Sequence, residues 1–397
     1  MSAEKLLASV GGKNKNIKGL VPAEVELSQI YVEQNNYLKS KEIYARAHEY
    51  TKTLSNFNYG VQGHVTLTPG EIFVKNICLK LELAAGTYTL PPAWAYNLID
   101  DIRVNIPGSQ RQDVSGRANF IVTMYEANSD SKRDDLISLA GGNADVVNPA
   151  NNVVAYIHLN ILTSSVDEQN QFWYPMHLLN QNVDIQIRFK RSSDFIKAGT
   201  APAFVNAELF YERCNVFDMN KLKSKKQVYV LPYRLLRDFE YSFNGVVNAP
   251  GASIRMDGLT EDGELDQIFV YASVDTDRIT NKNELTGVAM TNILAKLADR
   301  EIVRGDVDFH SVLQLWDHKD QLKYTLGGAT QRFYNLPFGA VPYKTQHKQR
   351  QYVNGADISQ DDLKLSFTSA AVASKLYAIP MYKVLMTFHN GLMQFIR

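Results

Sequence analysis

The chain has 397 residues, 45% of them hydrophobic and 21% charged, with 42 basic and 42 acidic side chains. That length exceeds what one hydrophobic core organises, so two domains or one doubled domain is expected. The charge balance leaves no global field to concentrate nucleic acid or an acidic ligand, which argues against genome packaging by a basic arm and against sequence-specific nucleic-acid binding. Eighteen Phe and 21 Tyr favour strands, and the predicted class is all-β with a few short helices.

The first stretch, MSAEKLLASVGGKNKNIKG, carries Lys5, Lys13, Lys15 and Lys18 without an arginine. Its apolar run is too short for a signal peptide or a membrane span, so synthesis in a cytoplasm is expected. Cys78 and Cys214 are too few for a disulfide framework, and the chain has no Asn-x-Ser/Thr sequon. Both thiols are expected to be free. Pro22 to Leu38 and Lys39 to Leu54 have helical patterning, and residues 1–56 have too little alternation to join a sandwich. They are expected to form an arm.

Strand signals then recur at short intervals. In NICLKLEL, Ile77, Leu79, Leu81 and Leu83 share one parity; in DDIRVNIPG, Ile102, Val104 and Ile106 do so before a Pro107-Gly108 turn. The stretch QFWYPMHLLNQNVDIQIRFKRSSDF places Phe172, Trp173, Tyr174 and Pro175 ahead of strict alternation, with Val183, Ile185, Ile187 and Phe189 apolar and Asp184, Gln186, Arg188 and Lys190 polar. VNAELFYE repeats the habit with Val205, Ala207, Leu209 and Tyr211. Such alternation marks antiparallel sheets with one covered face, since a buried parallel sheet reads as continuous apolar runs.

Lys221, Lys223, Lys225 and Lys226 crowd a stretch near the middle of the chain, and residues 219–231 are the expected linker. Beyond it, DQIFVYASV, DDLKLSFTS and YKVLMTFHNGLMQF read as strands, while Thr286 to Val303 reads as a helix. Gly70-Glu71 and Gly263-Glu264 both lead into strands, at an offset of 193 residues. Asn97-Leu98-Ile99 and Asn292-Ile293-Leu294 align at an offset of 195. Both offsets are close to half the chain, which favours duplication of one β module over two unrelated neighbours.

The aromatic corner, Pro175 and the MHLLNQNVDIQIRF that follows resemble a segment of the double jelly-roll major capsid proteins of tailless icosahedral double-stranded DNA viruses. AWAYNLIDDIRVNIPGSQRQDVSG is similar to the helix-to-strand passage of their first module, with Pro107-Gly108 where the family tends to have a glycine turn. YKVLMTFHNGLMQFIR is similar to the terminal strand pair of their second module. The resemblance spans most of Asn58 to Arg397. It implies two tandem eight-stranded jelly rolls over residues 57–218 and 232–397, joined into pseudo-hexagonal homotrimers that tile an icosahedral shell in the virion. It also implies contacts with neighbouring capsomers, with minor capsid or vertex proteins, and with an internal membrane through the arm. Each jelly-roll strand needs one apolar parity for the shared core, as Val183 to Phe189 supply, and large rings with Pro175 suit the open end of a sandwich.

No chemical motif competes with a structural role. GGKNKN lacks the spacing and the Ser/Thr of a phosphate loop, no Gly-x-Ser-x-Gly occurs, and no two of the eight histidines sit at metal-ligand spacing, His310 and His318 included. The acidic run Met256 to Asp266 does not keep the order of a calcium loop, and Arg304-Gly305-Asp306 reads as a turn entering a strand. No catalytic residue, cofactor or metal is expected. In Gln331 to Tyr352, Pro337, Gly339 and Pro342 break the chain into a loop whose Phe333, Tyr334, Phe338, Tyr343 and Tyr352 are expected to be exposed subunit contacts. The alternatives are a β-sandwich that binds carbohydrate or a receptor, and a scaffold lattice protein of the same fold.

Overall fold

The computed structural model describes residues 45–70, 73–108, 112–127, 129–167, 173–216, 230–242, 254–256, 264–297, 300–305, 322–338, 363–369, 375–389 and 392–396. The first half contains strands β1 (Ala45–Thr53), β2 (Gln62–Leu67), β3 (Phe73–Leu83), β4 (Tyr88–Leu90), β5 (Ile99–Asn105), β6 (Gln112–Ser115), β7 (Val146–Val147), β8 (Val153–His158), β9 (Tyr174–Pro175), β10 (Val183–Phe189), β11 (Ala198–Gly199) and β12 (Phe204–Val216). Helices α1 (Trp94–Leu98), α2 (Gly116–Glu126), α3 (Asp130–Leu139) and α4 (Ser192–Phe195) interrupt them. The second half contains β13 (Val230–Leu236), β14 (Phe239–Ser242), β15 (Ile254–Arg255), β16 (Glu264–Ser273), β17 (Met290–Leu297), β18 (Arg300–Gly305), β19 (Leu322–Leu326), β20 (Ala329–Pro337), β21 (Leu363–Ser369), β22 (Lys375–His389) and β23 (Leu392–Ile396).

One strand order occurs twice. In the first half a sheet ordered β1-β12-β3-β8 is paired in one sandwich with a sheet ordered β2-β10-β5-β6. In the second, β13-β22-β16-β20, extended by β19, is matched with β15-β21-β17-β18. Thus β3 and β16, the strands that follow the two Gly-Glu steps, hold the same place, as do β5 and β17. The internal repeat expected from the sequence is a repeat of topology.

The predicted parities hold where one face of a strand is covered. Val183, Ile185, Ile187 and Phe189 are buried and the residues between them half-buried; Ile77 to Leu83 and Ile102 to Ile106 follow the same rule. Val205 departs from it and is 43% exposed. A register shift between Phe204 and Asn206 absorbs a residue there, so the apolar parity of β12 begins only at Ala207.

Two expected helices are strands. Ala45–Thr53, the end of the Lys39 to Leu54 segment, pairs antiparallel with β12 along its whole length, so the last part of the expected arm belongs to the first sandwich. Its local preference yields to nine consecutive ladder positions. Thr286 to Val303 contains the hairpin strands β17 and β18. Met290 and Ile293 are both buried at a helix-like spacing of three, but a bulge between Thr291 and Leu294 produces it, with Asn292 in the left-handed region at φ 52°. Arg304 and Gly305 end β18 instead of forming a turn. Pro22 to Leu38 and nearly all of the expected linker lie outside the described residues.

If the β10 parity is what holds the first sandwich together, Ile185→Ala should cost about 2–5 kcal/mol in urea unfolding. Gln186, whose amide bonds Gln62 at 2.6 Å on the half-buried face, should cost about 1 kcal/mol or less as alanine. Equal costs would contradict the assignment of faces.

Candidate functional site at the seam between the two halves

Helix α2 is the element that joins the halves. Ser115 caps it, its Oγ accepting from the Ala118 N–H at 3.0 Å, and ten of its eleven residues are buried. A helix buried nearly all round lies inside the molecule, so its polar groups need internal partners. Its inward polar groups are satisfied by the first half: Asn119 donates to the His158 carbonyl at 2.7 Å, Thr123 accepts from Asn160 at 2.8 Å, and Glu126 accepts from Ser165 Oγ at 2.8 Å. Its rings pack with the second half. Tyr125 meets Phe269 of β16 with centroids 4.8 Å apart, and Phe120 meets Tyr324 of β19 edge-on at 5.1 Å.

At the start of α2 the seam is ionic. Arg117 Nε lies 2.6 Å from Asp238 Oδ2, in the turn between β13 and β14, and Arg117 Nη1 lies 3.4 Å from Glu284 Oε2. The guanidinium carbon stands 4.1 Å from the centroid of the Tyr377 ring. Ser115 Oγ also donates to Asp238 Oδ2, and Lys190, from the first half, reaches Glu284 at 2.8 Å. Burial would lower the Arg117 pKa, but Asp238 foremost, then Tyr271 and Glu284, raise it well above the ordinary value. Burial raises Asp238 against the opposing pull of Arg117 and Ser115. Burial also acts to raise Glu284, yet Lys190 and then Arg117 outweigh it and hold the carboxyl below its usual range.

Neutral bonds continue the seam. The Asn97 amide, buried in α1, donates to Asn283 Oδ1 at 3.1 Å, and its own carbonyl accepts from the Glu284 N–H at 3.0 Å. Within the second half Tyr271 donates to the Glu284 carbonyl at 2.9 Å and so positions that residue, and across the seam the Gly327 N–H donates to the Asn143 carbonyl at 2.8 Å. The Pro107-Gly108 turn abuts β23: Pro107 O accepts from the Met393 N–H at 3.0 Å, and Gly108, at φ +82°, has Leu392 where a Cβ would stand at 2.8 Å. Tyr174 of the aromatic corner packs on Phe388 at 5.6 Å, so that corner contributes to the join as well as to the sandwich end.

The expected subunit-contact rings fall differently. Phe333 and Tyr334 are 3% and 5% exposed, which corrects the expectation that they form a surface. Phe333 stacks with Tyr324 at 5.2 Å and meets Tyr271 at 4.6 Å, on the face of the sheet turned to the first half. Tyr334 points the other way and accepts the Met290 N–H at 2.8 Å. Both parities are covered because β20 and β16 lie between their own sandwich core and the first half. Phe338 is half-buried; Tyr343 and Tyr352 lie outside the described residues.

One trio, with Cys78 half-buried and His158 and Ser164 buried, has the composition of a nucleophilic site. Cys78 Sγ lies 3.8 Å from His158 Nδ1, and Ser164 Oγ lies 3.3 Å from His158 Nε2. Burial, with Glu212 second, pushes the thiol up to about 11, and burial, with Lys132 second, pulls the imidazole down to about 3. Both groups are neutral near pH 7, so the pair lacks the thiolate a nucleophile needs. Among the described residues there is no group of three His, Cys, Asp or Glu side chains placed to hold a metal, and no helix long and apolar enough to cross a membrane.

Two sandwiches of one strand order, joined in a single chain, define a double jelly roll, the fold of viral major capsid proteins. Among solved structures, PBCV-1 VP54, fitted into a reconstruction of the virophage Sputnik, superposes with a TM-score of 0.67 at 11% identity, covering 89% of this chain and 97% of that one. A quasi-atomic model of the PBCV-1 virus capsid gives 0.66 at 11% identity over 89% and 97%. The Faustovirus major capsid protein gives 0.61 at 8% identity over 87% and 91%. No protein-family model and no curated protein sequence matches the chain. The likeness is one of fold, carried by strand order and burial.

Two outcomes test the seam and its surroundings. Asp238→Ala leaves the Arg117 cation short of its nearest carboxylate and should cost about 3–5 kcal/mol, whereas adding Arg117→Ala should cost less than the sum of the two single changes in urea unfolding. His158 is neutral when folded down to about pH 3 but titrates near 6.5 when unfolded, so the unfolded chain binds the extra proton between those values. Its share of stability is complete above about pH 6.5 and is lost as pH falls toward 3, by about 1.4 kcal/mol per unit at most. The pH slope of unfolding free energy between pH 6 and 4 should therefore be shallower in His158→Gln by close to one proton.

Proposed function

We propose that this chain is a viral major capsid protein, a structural tile of the virion shell and not an enzyme. The observation that carries the proposal is the seam: two jelly rolls of one order are fixed against each other by a buried helix, a largely covered cation and a set of directed hydrogen bonds. A shell needs that property, because an angle error between modules is repeated at every position of the lattice. Solved structures of this fold include a virus capsid and a major capsid protein, which supports the same role here.

We assign β1 to β12 to the first module and β13 to β23 to the second; β13 takes the last two residues, Val230 and Leu231, of the expected linker. With two modules per chain, three copies are the economical route to a pseudo-hexagonal block, closed by rotational contacts in which one patch meets a different patch on the next copy. Such blocks would tile an icosahedral shell. The segment preceding β1 is the part we assign to contact with neighbouring capsomers, minor or vertex proteins, or an internal membrane. Light scattering on the purified chain should return about three times its mass of 44.8 kDa, unchanged on micromolar dilution. A monomer at high concentration would refute the tile.

A further inference from the structure

Beside the ionic part of the seam lies an open cavity of about 490 Å³, walled by both halves. The first half contributes Arg188, Lys190 and Arg191; the second contributes Arg278 and Lys282. Three carboxylates, Asp100, Asp194 and Glu284, share the wall, leaving it two positive charges in excess. The size is that of small-molecule sites, which run from about 300 to 1,000 Å³.

The charges are not equally committed. Arg188 is held by Asp100 at 2.7 Å and Asp101 at 2.5 Å, and Lys190 is held by Glu284 at 2.8 Å. Arg278 gives one terminal nitrogen to Asp275 at 2.8 Å, while its Nε is shielded from solvent and has no hydrogen-bond partner among the described residues. Arg191 and Lys282 make no ion pair with any described residue. Lys282 is also held in the left-handed region at φ 52°, a conformation costly for a lysine. Flanking backbone bonds keep it there, from the Asn281 N–H to Thr276 O at 2.9 Å and from the Asn283 N–H to Asp277 O at 3.0 Å. The strained turn and the uncommitted donors face one polar space.

We propose that this cavity binds a small multivalent oxyanion of the di- or polyphosphate type, held by Arg191 from the first module and by Arg278 and Lys282 from the second. Guanidinium forks and an ammonium in one concavity match several phosphate-like oxygens better than they match a single carboxylate. Because the donors come from both modules, the bound anion is a removable cross-link over the seam and stabilises the folded chain by linkage.

Sodium pyrophosphate is the probe, compared with sodium chloride at equal ionic strength, with melting temperature and calorimetric affinity as readouts. The wild-type chain should melt several degrees higher in millimolar pyrophosphate, and the Arg191→Glu, Lys282→Glu double variant should lose that shift and bind at least about tenfold more weakly. Should charge reversal prevent folding, Arg191→Gln with Lys282→Gln removes the same charges with smaller disturbance and should give the same loss. Stabilisation matched by sodium chloride, or retained in the neutral variant, overturns the proposal. So does a chain that ignores pyrophosphate while the variant fails to form oligomers, since the cavity would then be a contact between copies.

Discussion

The largely covered position of the Arg117 guanidinium at the seam is the constraint on which the rest of the molecule depends. A guanidinium removed from water is tolerated only where carboxylates and a ring face replace its hydration, and Asp238, Glu284 and Tyr377 all come from the second module. Apolar packing between the modules is strong but non-directional, and many relative orientations would bury comparable area. The ion pairs and the Asn97–Asn283 bond are directional and admit one orientation. Hydrophobic contact holds the modules together; the buried polar groups fix the angle between them.

Two modules of the same order do not play the same part. The first supplies an inserted helix, and the second supplies the outer face of a sheet to receive it. Strand β16 therefore has cover on both sides, and every described side chain from Leu265 to Ser273 is buried. Its counterpart β3 keeps a half-buried outer face with Lys80 paired to Glu208 at 3.4 Å. The same place in the fold thus carries an alternating sequence in one module and a nearly continuous apolar one, DQIFVYASV, in the other. Duplicated topology and asymmetric packing are compatible because only one face of each sandwich is needed for its own core.

Much of the fold was legible in the sequence because a sheet with one wet face writes its geometry as alternation. Val183 to Phe189 and Ile77 to Leu83 are of that kind, and so is the spacing of the two Gly-Glu steps. Reading failed where the signal was ambiguous or long-range. The Met290 and Ile293 spacing has two solutions, a helix turn or a bulge, and only pairing with β21 decides between them. The strand β1 has a charged, helix-compatible sequence whose conformation is set by a partner more than 150 residues away, and α2 carries no amphipathic stripe because it is buried all round. Of the aromatic site, Phe333 and Tyr334 were expected as exposed subunit contacts and are buried within the chain, because composition cannot say whether a ring is covered by its own chain. Pro337 drew the reading toward a loop, although it ends a strand. Arg117, Asp238 and Glu284 lack local spacing altogether, since they meet only after two modules dock.

The seam also sets an order of events during synthesis. Arg117 and the α2 rings leave the ribosome well ahead of Asp238, Phe269 and Tyr324, and the last of the partners, Tyr377, follows Arg117 by 260 residues. At about 5–20 residues per second the first module, complete once Val216 has emerged, waits on the order of ten to thirty seconds for Tyr377, with the receiving surface for α2 unfinished. During that interval Phe120 and Tyr125 are uncovered apolar rings beside an unpaired cation, on a module whose own core is already complete. The nascent chain is therefore most vulnerable to mispairing with another copy after its first half has folded, and a stalled or truncated chain would present that same sticky face permanently.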